Sequence, residues 1–464
     1  MVDIKKNAGL GFYVESAIGS CPTLSASNSL RFTRLVSEDL NSTFARDVSN
    51  EVRGDAQSGG SVITGVSGAG SISIQYSMET YDNLLAGLMF AYGTPDGDEE
   101  SSGWTASTGN FAATGVAVTK GSDSWTLSGS TLTIESADVI ALGEGDLVGT
   151  YVQFSKTGSA QMDGIWRVDA QTATTLTLES PGNSGGSNTV ESYIGSNTIS
   201  SATATITPAL GVSMNGTQDR SFGFVRFYSD TSLSGQGSAF GLNACDAAVF
   251  RGAFVTSMQL SVAPGQAGWT GSLSTLFAGE ESVTNALSAA PRSGFAMGNW
   301  NLSTPPNDNP LPDAILGVAN VNLRRTDAGA TDGERIDPLS LNMTISNNAS
   351  EVNALRNAGA IAITQGTFSA SIEMEVIYED GTLHEAMTDN GTYEIDVACS
   401  DADGKAQLFR FPACKLTSER PNPGQNAPIV QKLSFLAEPG GVDYKGAAGA
   451  KTVEILRFYA GTLN

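Results

Sequence analysis

The chain has 464 residues, a formal net charge of -23, 40% hydrophobic and 8% aromatic residues, 53 glycines and one histidine. That apolar content supports real cores and excludes global disorder, while the diffuse acidity disfavours tight nucleic-acid binding, which needs Lys and Arg on phosphates. The length suits two to four domains, and short alternating runs bounded by Gly, Asn, Asp and Pro give a mainly β fold class.

The first residues, MVDIKKNAGLGFYVESAIG, hold an apolar run too short for a signal peptide and broken by Glu15, so synthesis and assembly in the cytoplasm are expected. No run approaches the ~18 apolar residues of a membrane helix. Residues 1–28 read as an arm with a weak strand at Leu10 to Val14, able to join a neighbour. Leu30 to Val36 reads as a strand. Glu38 to Gln57 is mostly polar and reads as a long exposed loop, with Glu51, Arg53 and Asp55 near its end. Gly59 to Gly70 leads into a strand at Ser71 to Tyr76. Tyr81 to Phe90 is the best helix, with Thr80 as N-cap. Tyr81, Leu84, Leu85 and Leu88 share one face that packs on a sheet.

Residues 93–110 form a polar linker, and Asp96, Asp98, Glu99 and Glu100 lack the spacing of a calcium loop. Residues 107–215 read as a small inserted β domain, an SH3-like barrel or Ig-like sandwich. Its strands are Leu132 to Ile134, Tyr151 to Phe154, Gly164 to Val168 and Thr175 to Leu178, with Trp166 in the core. Phe222, Phe224, Arg226 and Tyr228 share one face of the next strand and Val225 and Phe227 the other, so that strand is covered on both sides. Glu281 to Ala290 reads as a helical fragment, followed by the linker PPNDNPLP. Beyond it, Ile315 to Leu323 and Leu339 to Ile345 are strands, Ala349 to Ala358 a short polar helix or loop, and Thr382 to Met387 helical. Val453 to Tyr459 reads as a strand that pairs with a neighbouring element or subunit.

Two stretches resemble each other. Phe250-Arg251 matches Phe409-Arg410, and Pro264-Gly265-Gln266 matches Pro423-Gly424-Gln425, both 159 residues apart; Leu273-Ser274 then meets Leu433-Ser434 after a one-residue slip. Upstream, Ser71 to Tyr76 matches Ser371 to Val376 at 300 residues. The order is kept and the first copy holds the extra length. We read a duplicated β module: 1–106 with 216–295 as the first copy, 107–215 as its insertion, and 296–464 as the second.

No catalytic set stands out. His384 is the sole histidine and is expected to be structural. GxSxG, GxxxxGK[ST] and HExxH are absent, and Gly68-Ala69-Gly70 lacks the strand–helix context of a dinucleotide site. A pair of glycosidase carboxylates stays open, although no aromatic run marks a sugar cleft. No metal or cofactor is implied. Cys21, Cys245, Cys399 and Cys414 form no CxxC pair and are expected as buried free thiols, with a Cys399–Cys414 disulfide as the alternative.

The arm GLGFYVESAIG, the strand LRFTRLV, the loop ending in Glu51-Val52-Arg53-Gly54-Asp55, the unit GSISIQYSMETYDNLLAGLMFA and the closing strands FRGAFVTSMQLSVAPGQAGWTGSLSTLF together resemble a major tail tube protein of a long-tailed, non-contractile bacteriophage. The resemblance spans most of 1–106 and 216–464. It implies two tandem β-sandwich modules, each with a flanking short helix, beside the inserted domain. It implies a non-enzymatic virion protein whose inner strands join into a barrel around passing DNA, in trimeric, pseudo-hexameric rings with a negatively lined channel and the insert outside. Its partners would be further copies, the tape measure protein, tail terminator and baseplate proteins, with no membrane. On this reading Glu51, Arg53, Asp55, Glu351 and Arg356 are candidates for ring-to-ring contacts. Ser71, Ser73, Gln75, Thr256, Gln259, Ser371, Glu373, Glu375, Lys415 and Glu419 lie on candidate inner-barrel strands. The rival readings are another β-rich particle component, such as a terminator, baseplate hub or gene-transfer-agent tail, and a repeat-bearing surface adhesin.

Overall fold

Alternation builds the main layer. In strand Ser369–Ile377, Ala370, Ile372, Met374 and Val376 are buried while the residues between them are not. The same rule puts Leu341, Met343 and Ile345 inward in Ser340–Ser346. A strand with one apolar face must lay it on a second layer. The computed structural model describes residues 7–15, 18–19, 30–48, 60–91, 117–135, 147–159, 161–179, 181–182, 189–229, 246–283, 310–312, 318–326, 333–353, 360–377, 387–422, 428–442 and 451–459.

Within these, eight antiparallel stretches lie side by side. Their order is 35–48, Ser61–Gln75, Thr270–Phe277, the second half of Asp246–Val262, Ser340–Ser346, Ser369–Ile377, Val430–Ala437 and the second half of Ala406–Asn422. The register keeps apolar side chains in rows: Ile72 faces Leu273, Leu273 faces Met258, Met258 faces Ile345, and Met374 faces Leu433. Two further sets of strands form the opposite wall. One is Asn7–Val14, Phe222–Ser229, the first half of Asp246–Val262 and Gly279–Val283. The other is Val318–Arg325, Thr392–Ser400, the first half of Ala406–Asn422, Glu454–Arg457 and Gly211–Met214. One continuous core joins both walls, from Phe12, Phe224 and Phe250 to Ile395, Phe409 and Phe411.

The two 17-residue strands pass from one wall to the other. Each does so at a bulge, where an extra residue bends the strand. Thr256 Oγ1 donates to Ser274 O at 3.1 Å in the first, and Thr417 Oγ1 to Ser434 O at 2.9 Å in the second. Ser257 then faces Ser274 and Ser418 faces Ser434. Below the bulges Phe250 faces Phe224 and Phe411 faces Ile395. By register, therefore, Phe250 corresponds to Phe411 rather than Phe409, and Ile72 to Met374 rather than Ile372. Both displacements are two residues, an even number, so each matched pair stays on one face of its strand.

Helix Asp82–Leu88 is buried all round, not on one face only. Tyr81 rather than Thr80 holds the N-cap position, with no side-chain cap; Thr80 Oγ1 instead accepts from Ser77 Oγ at 2.9 Å. The polar side of the helix is buried because it is paired: Asp82 accepts from Tyr459 Oη at 2.8 Å and from Arg457 Nη1 at 3.3 Å. Several expected loops are strands. Asn41–Val48 pairs with Ser61–Ala69 as an exposed hairpin, and Ser350–Asn353 pairs with Ala360–Thr364. Mostly exposed on both faces, they have little alternation to betray them. Gly279–Val283 carries Glu281 to Val283 as strand, because it closes the ladder beside Ala247 to Arg251. Val453 to Tyr459 finds its partners within the chain, at Gly211–Met214 and Gln407 to Arg410. The arm likewise pairs at home, with Phe222–Ser229. The 93–110 linker, His384 and most of 281–312 lie outside the described residues.

The insert wraps eight strands around Trp125, Phe154, Trp166 and Ile206, with Gly164–Gln171 shared by its two halves. Its end strands, Val118–Thr119 and Thr198–Ile199, do not pair with each other among the described residues, so this is a curled open sheet rather than a closed barrel. Trp166 is core, its Nε1 donating to Met162 O at 2.9 Å, and Arg335 also stacks 3.6 Å above its ring. Cys399 faces Gln407 and Cys414 faces Tyr393, six positions or ~20 Å apart along the ladder. Both thiols are free and buried, and a bridge between them is excluded. Cys21 and Cys245 lie outside the described residues.

A buried charge cluster fixes the insert to the second half of the chain. Arg410 donates to Glu394 Oε1 at 2.7 Å and to Glu454 Oε2 at 2.6 Å. Tyr151 of the insert accepts from Arg410 Nε at 3.0 Å and lies 2.9 Å from Asp396 Oδ2. Arg324 bridges Glu394 at 3.3 Å and the insert's Glu179. Glu394 is desolvated, yet Arg410, Arg324 and Arg167 hold its pKa below the usual carboxylate range. At Glu179 burial outweighs Arg324 and lifts the carboxyl to about 7.

Two outcomes follow from this packing. An alanine Cβ at Gly87 would sit 2.4 Å from the Phe222 ring. Gly87→Ala should therefore cost about 1–3 kcal/mol in denaturant unfolding, although alanine is the better helix former. Glu179 binds its proton more tightly folded than unfolded, so its contribution falls as pH rises from about 4.5 through about 7. The deficit of Glu179→Gln relative to the parent chain should be largest at about pH 4.5 and below and shrink by pH 8, by up to roughly 3 kcal/mol.

Candidate assembly surface

The outer face of the eight-stranded layer is polar by the same alternation that builds the core. Ser71, Ser73 and Gln75 project there from one strand, Ser371, Glu373 and Glu375 from another, and Gln259 from the long strand between them. These seven candidates share a face. Thr256 sits in the bulge instead, its hydroxyl spent on Ser274 O. Lys415 precedes the second bulge, with Nζ donating to Asn390 O and Thr392 Oγ1, each at 2.7 Å. Glu419 turns to the core face, opposite Leu433, and accepts from Gln431 Nε2 at 2.6 Å.

Sequence reasoning passed over Ser272, Ser274, Asn342, Thr344 and Lys432, which also lie on this face. Alternating Ser, Thr and Asn at every second position is the signal that marks them. Gln259 Nε2 donates to Asn342 Oδ1 at 3.0 Å, and the Ser261 and Thr270 hydroxyls lie 2.9 Å apart. Lys432 stands 3.7 Å from Glu373, both about half exposed, a pair worth little in water. The described face is thus mainly hydroxyl and amide, with few cations.

The centre of the layer is a junction between its two halves. Ser257 to Val262 pairs with Leu341 to Ser346. Asn347 is fully buried there; its Nδ2 donates to Leu88 O at 3.0 Å and Val255 O at 2.9 Å, and its backbone N–H to Thr256 O at 3.0 Å. Ile363 of the second hairpin plugs onto Phe90, Phe254 and Leu276. Glu351 lies on that hairpin, half-buried, with its carboxyl raised by desolvation and opposed by the Gly68 amide. Glu51, Arg53, Asp55 and Arg356 lie outside the described residues.

At both ends the layer stops. Leu416 to Asn422 has a partner on one side only among the described residues, and so has 35–48. Apolar side chains cluster near both ends: Val36, Phe44 and Ile63 are exposed at the first, Leu436 at the second. Unpaired edges with exposed apolar groups mark surfaces that take another strand. No group of three or more His, Cys, Asp or Glu able to hold a metal occurs among the described residues, and no described helix is long and apolar enough to cross a membrane.

Comparison with known proteins bears on this surface. Among solved structures, a chain of the anti-feeding prophage baseplate overlaps with a TM-score of 0.21 and 10% identity, over 25% of this chain and 85% of that one. A chain of the native gene transfer agent virion overlaps with a TM-score of 0.20 and 15% identity, over 28% of this chain and 95% of that one. Overlaps this low carry no argument. No curated protein matches by sequence. The profile described as phage tail tube protein, however, matches residues 5–437, nearly the whole length. The chain belongs to the phage tail tube protein family, and is a structural protein of the virion tail.

Proposed function

We propose that this chain forms the tube of a siphophage tail, as stacked rings of three chains with pseudo-sixfold symmetry around a channel for DNA. The observation that supports it most is the eight-stranded layer with one polar face and two open edges. Within it, four strands ending in a bulged 17-residue strand are followed by four more ending in another. Such a repeat is what a duplicated module leaves, and it lets one chain occupy two of six positions in a ring. A layer open at both edges removes them by closing with copies of itself.

The polar face becomes the channel wall. DNA slides past a wall that offers few cations, because nothing there neutralises phosphates or releases their counterions. The chain's charge of -23 adds a diffuse repulsion, and Asp39, Glu373 and Glu375 are among the acids on the described face. The insert docks on the opposite wall, through Tyr151 and Glu179 against Arg410 and Arg324, which supports an outward position. Ring-to-ring contacts are assigned to Glu51, Arg53, Asp55, Glu351 and Arg356 as candidates, with Glu351 on the hairpin 350–364. The tape measure protein would occupy the lumen, terminator and baseplate proteins the two ends, and assembly would take place in the host cytoplasm. Catalysis has no part in this reading.

Electron microscopy of the purified protein, with its mass in solution, tests the proposal. Hollow tubes or rings with three chains and six lobes are expected. Six chains per layer would keep the tube and refute the doubled module; persistent monomers in the presence of virion partners would remove the tube altogether.

A further inference from the structure

The internal junction specifies the external one. We infer that the edge Leu416 to Asn422 docks beside residues 38–44 of a second copy, in the register already used between Ser257 to Val262 and Leu341 to Ser346. This rests on the tube reading and adds a specific partner strand and alignment.

The alignment follows from the ladders. Asn41 pairs with Ala69, which pairs with Leu276; Thr344 pairs with Ser371, which pairs with Leu436. Asn41 therefore stands where Thr344 stands, and Thr43 where Ser346 does. Ser418 stands where Ser257 does, each the first paired residue after its bulge. Because Ser257 faces Ser346, Ser418 should face Thr43 of the next copy, with Arg420 facing Asn41 and Pro421 facing Leu40.

The open edge fits this register in detail. Asn347 donates its backbone N–H across the internal junction, so the outward-pointing residues of that strand are the alternate ones, and their counterparts are Leu40, Ser42 and Phe44. In the single chain the outward amides of Leu40 and Ser42 are covered by side chains. Leu40 N donates to Glu38 Oε2 at 3.0 Å, and Ser42 N to Glu280 Oε2 at 3.1 Å. Carboxylates there stand in for the carbonyls of a missing strand. Leu40 O accepts from Arg226 Nη2 at 2.7 Å. The residue due opposite Leu40 is Pro421, which has no N–H to offer. The carbonyl that receives nothing from the neighbour is thus the one its own chain already satisfies.

The side chains agree as well. At the internal junction Gln259 donates to Asn342 Oδ1. At the external one the corresponding residues are Arg420 and Asp39, both exposed, so an amide contact gives way to an ion pair. Charge at this position selects the partner copy and keeps the register from slipping by two. Phe44 takes the place of Asn347 and would cover Leu416, while exposed Leu436 corresponds to Leu276, which lies under the internal plug.

The test is a cross-link in the full chain. Ser418→Cys with Thr43→Cys places two thiols at a close, non-hydrogen-bonded pair, within reach of a disulfide. On mild oxidation of assembled protein, covalent oligomers should appear on a non-reducing gel. The pair Ser418→Cys with Asn41→Cys, two residues out of register, should give none. Arg420→Asp should raise the concentration needed for assembly by about tenfold or more, and Asp39→Arg in the same chain should restore it. Rings that form without the in-register cross-link, or that link only through the control pair, overturn this junction and leave the tube reading standing. A chain that forms no rings removes both.

Discussion

Every strand in a sheet must satisfy its N–H and C=O groups on two sides, and this constraint organises the whole molecule. In the polar-faced layer it joins residues from 35 to 437 into one ladder. It explains why the two halves meet strand to strand through Ser257 to Val262 and Leu341 to Ser346. It explains also why the bulges matter. Thr256 and Thr417 let one strand serve two walls, so each long strand ties the polar-faced layer to the wall behind it. Where the constraint is unmet, at the two ends, side chains of Glu38, Arg226 and Glu280 take up the outward groups of one edge.

Below that layer, apolar burial supplies the stability and charge supplies the specificity. Phe12, Phe224, Phe250 and Phe411 belong to one core that needs no exact partner. Arg410 does need one. It is fully buried, and Glu394, Glu454 and Tyr151 must arrive from three separate strands to satisfy it. Breaking such a cluster strands a charge in a dry interior, which costs several kcal/mol, so the insert has one allowed seat. An insertion that leaves the first half of the chain is thereby held on the second.

The residues that build the tube-like layer were legible because half-buried strands alternate. Ser71, Ser73 and Gln75 stood out between Ile72 and Ile74, and Ser371, Glu373 and Glu375 between Ile372 and Met374. The hairpins 41–69 and 350–364 were not legible, since strands left mostly exposed on both faces show little period. Phe250 lies six residues before the bulge at Thr256 and Phe411 six before that at Thr417, two positions from the Phe409 to which sequence identity points. Identical residues such as Phe250 and Phe409 attracted the match, while the bulges that set the true register leave no mark in composition. Glu419 shares the core face with Leu433 for the same reason: one extra residue at Thr417 reverses the alternation beyond it.

By itself the sequence determined a mainly β chain, with a polar and an apolar face on each main strand and turn residues between them. These are local properties, written as period and turn residues. The tertiary structure alone decided which strand lies beside which, where the ladder ends, and which charges meet. Arg410 and Glu454 are 44 residues apart, Tyr151 and Arg410 259 apart, and no periodicity links them. Hydrogen-bond register and buried ion pairing are contacts at a distance along the chain, and only folding brings their partners within reach.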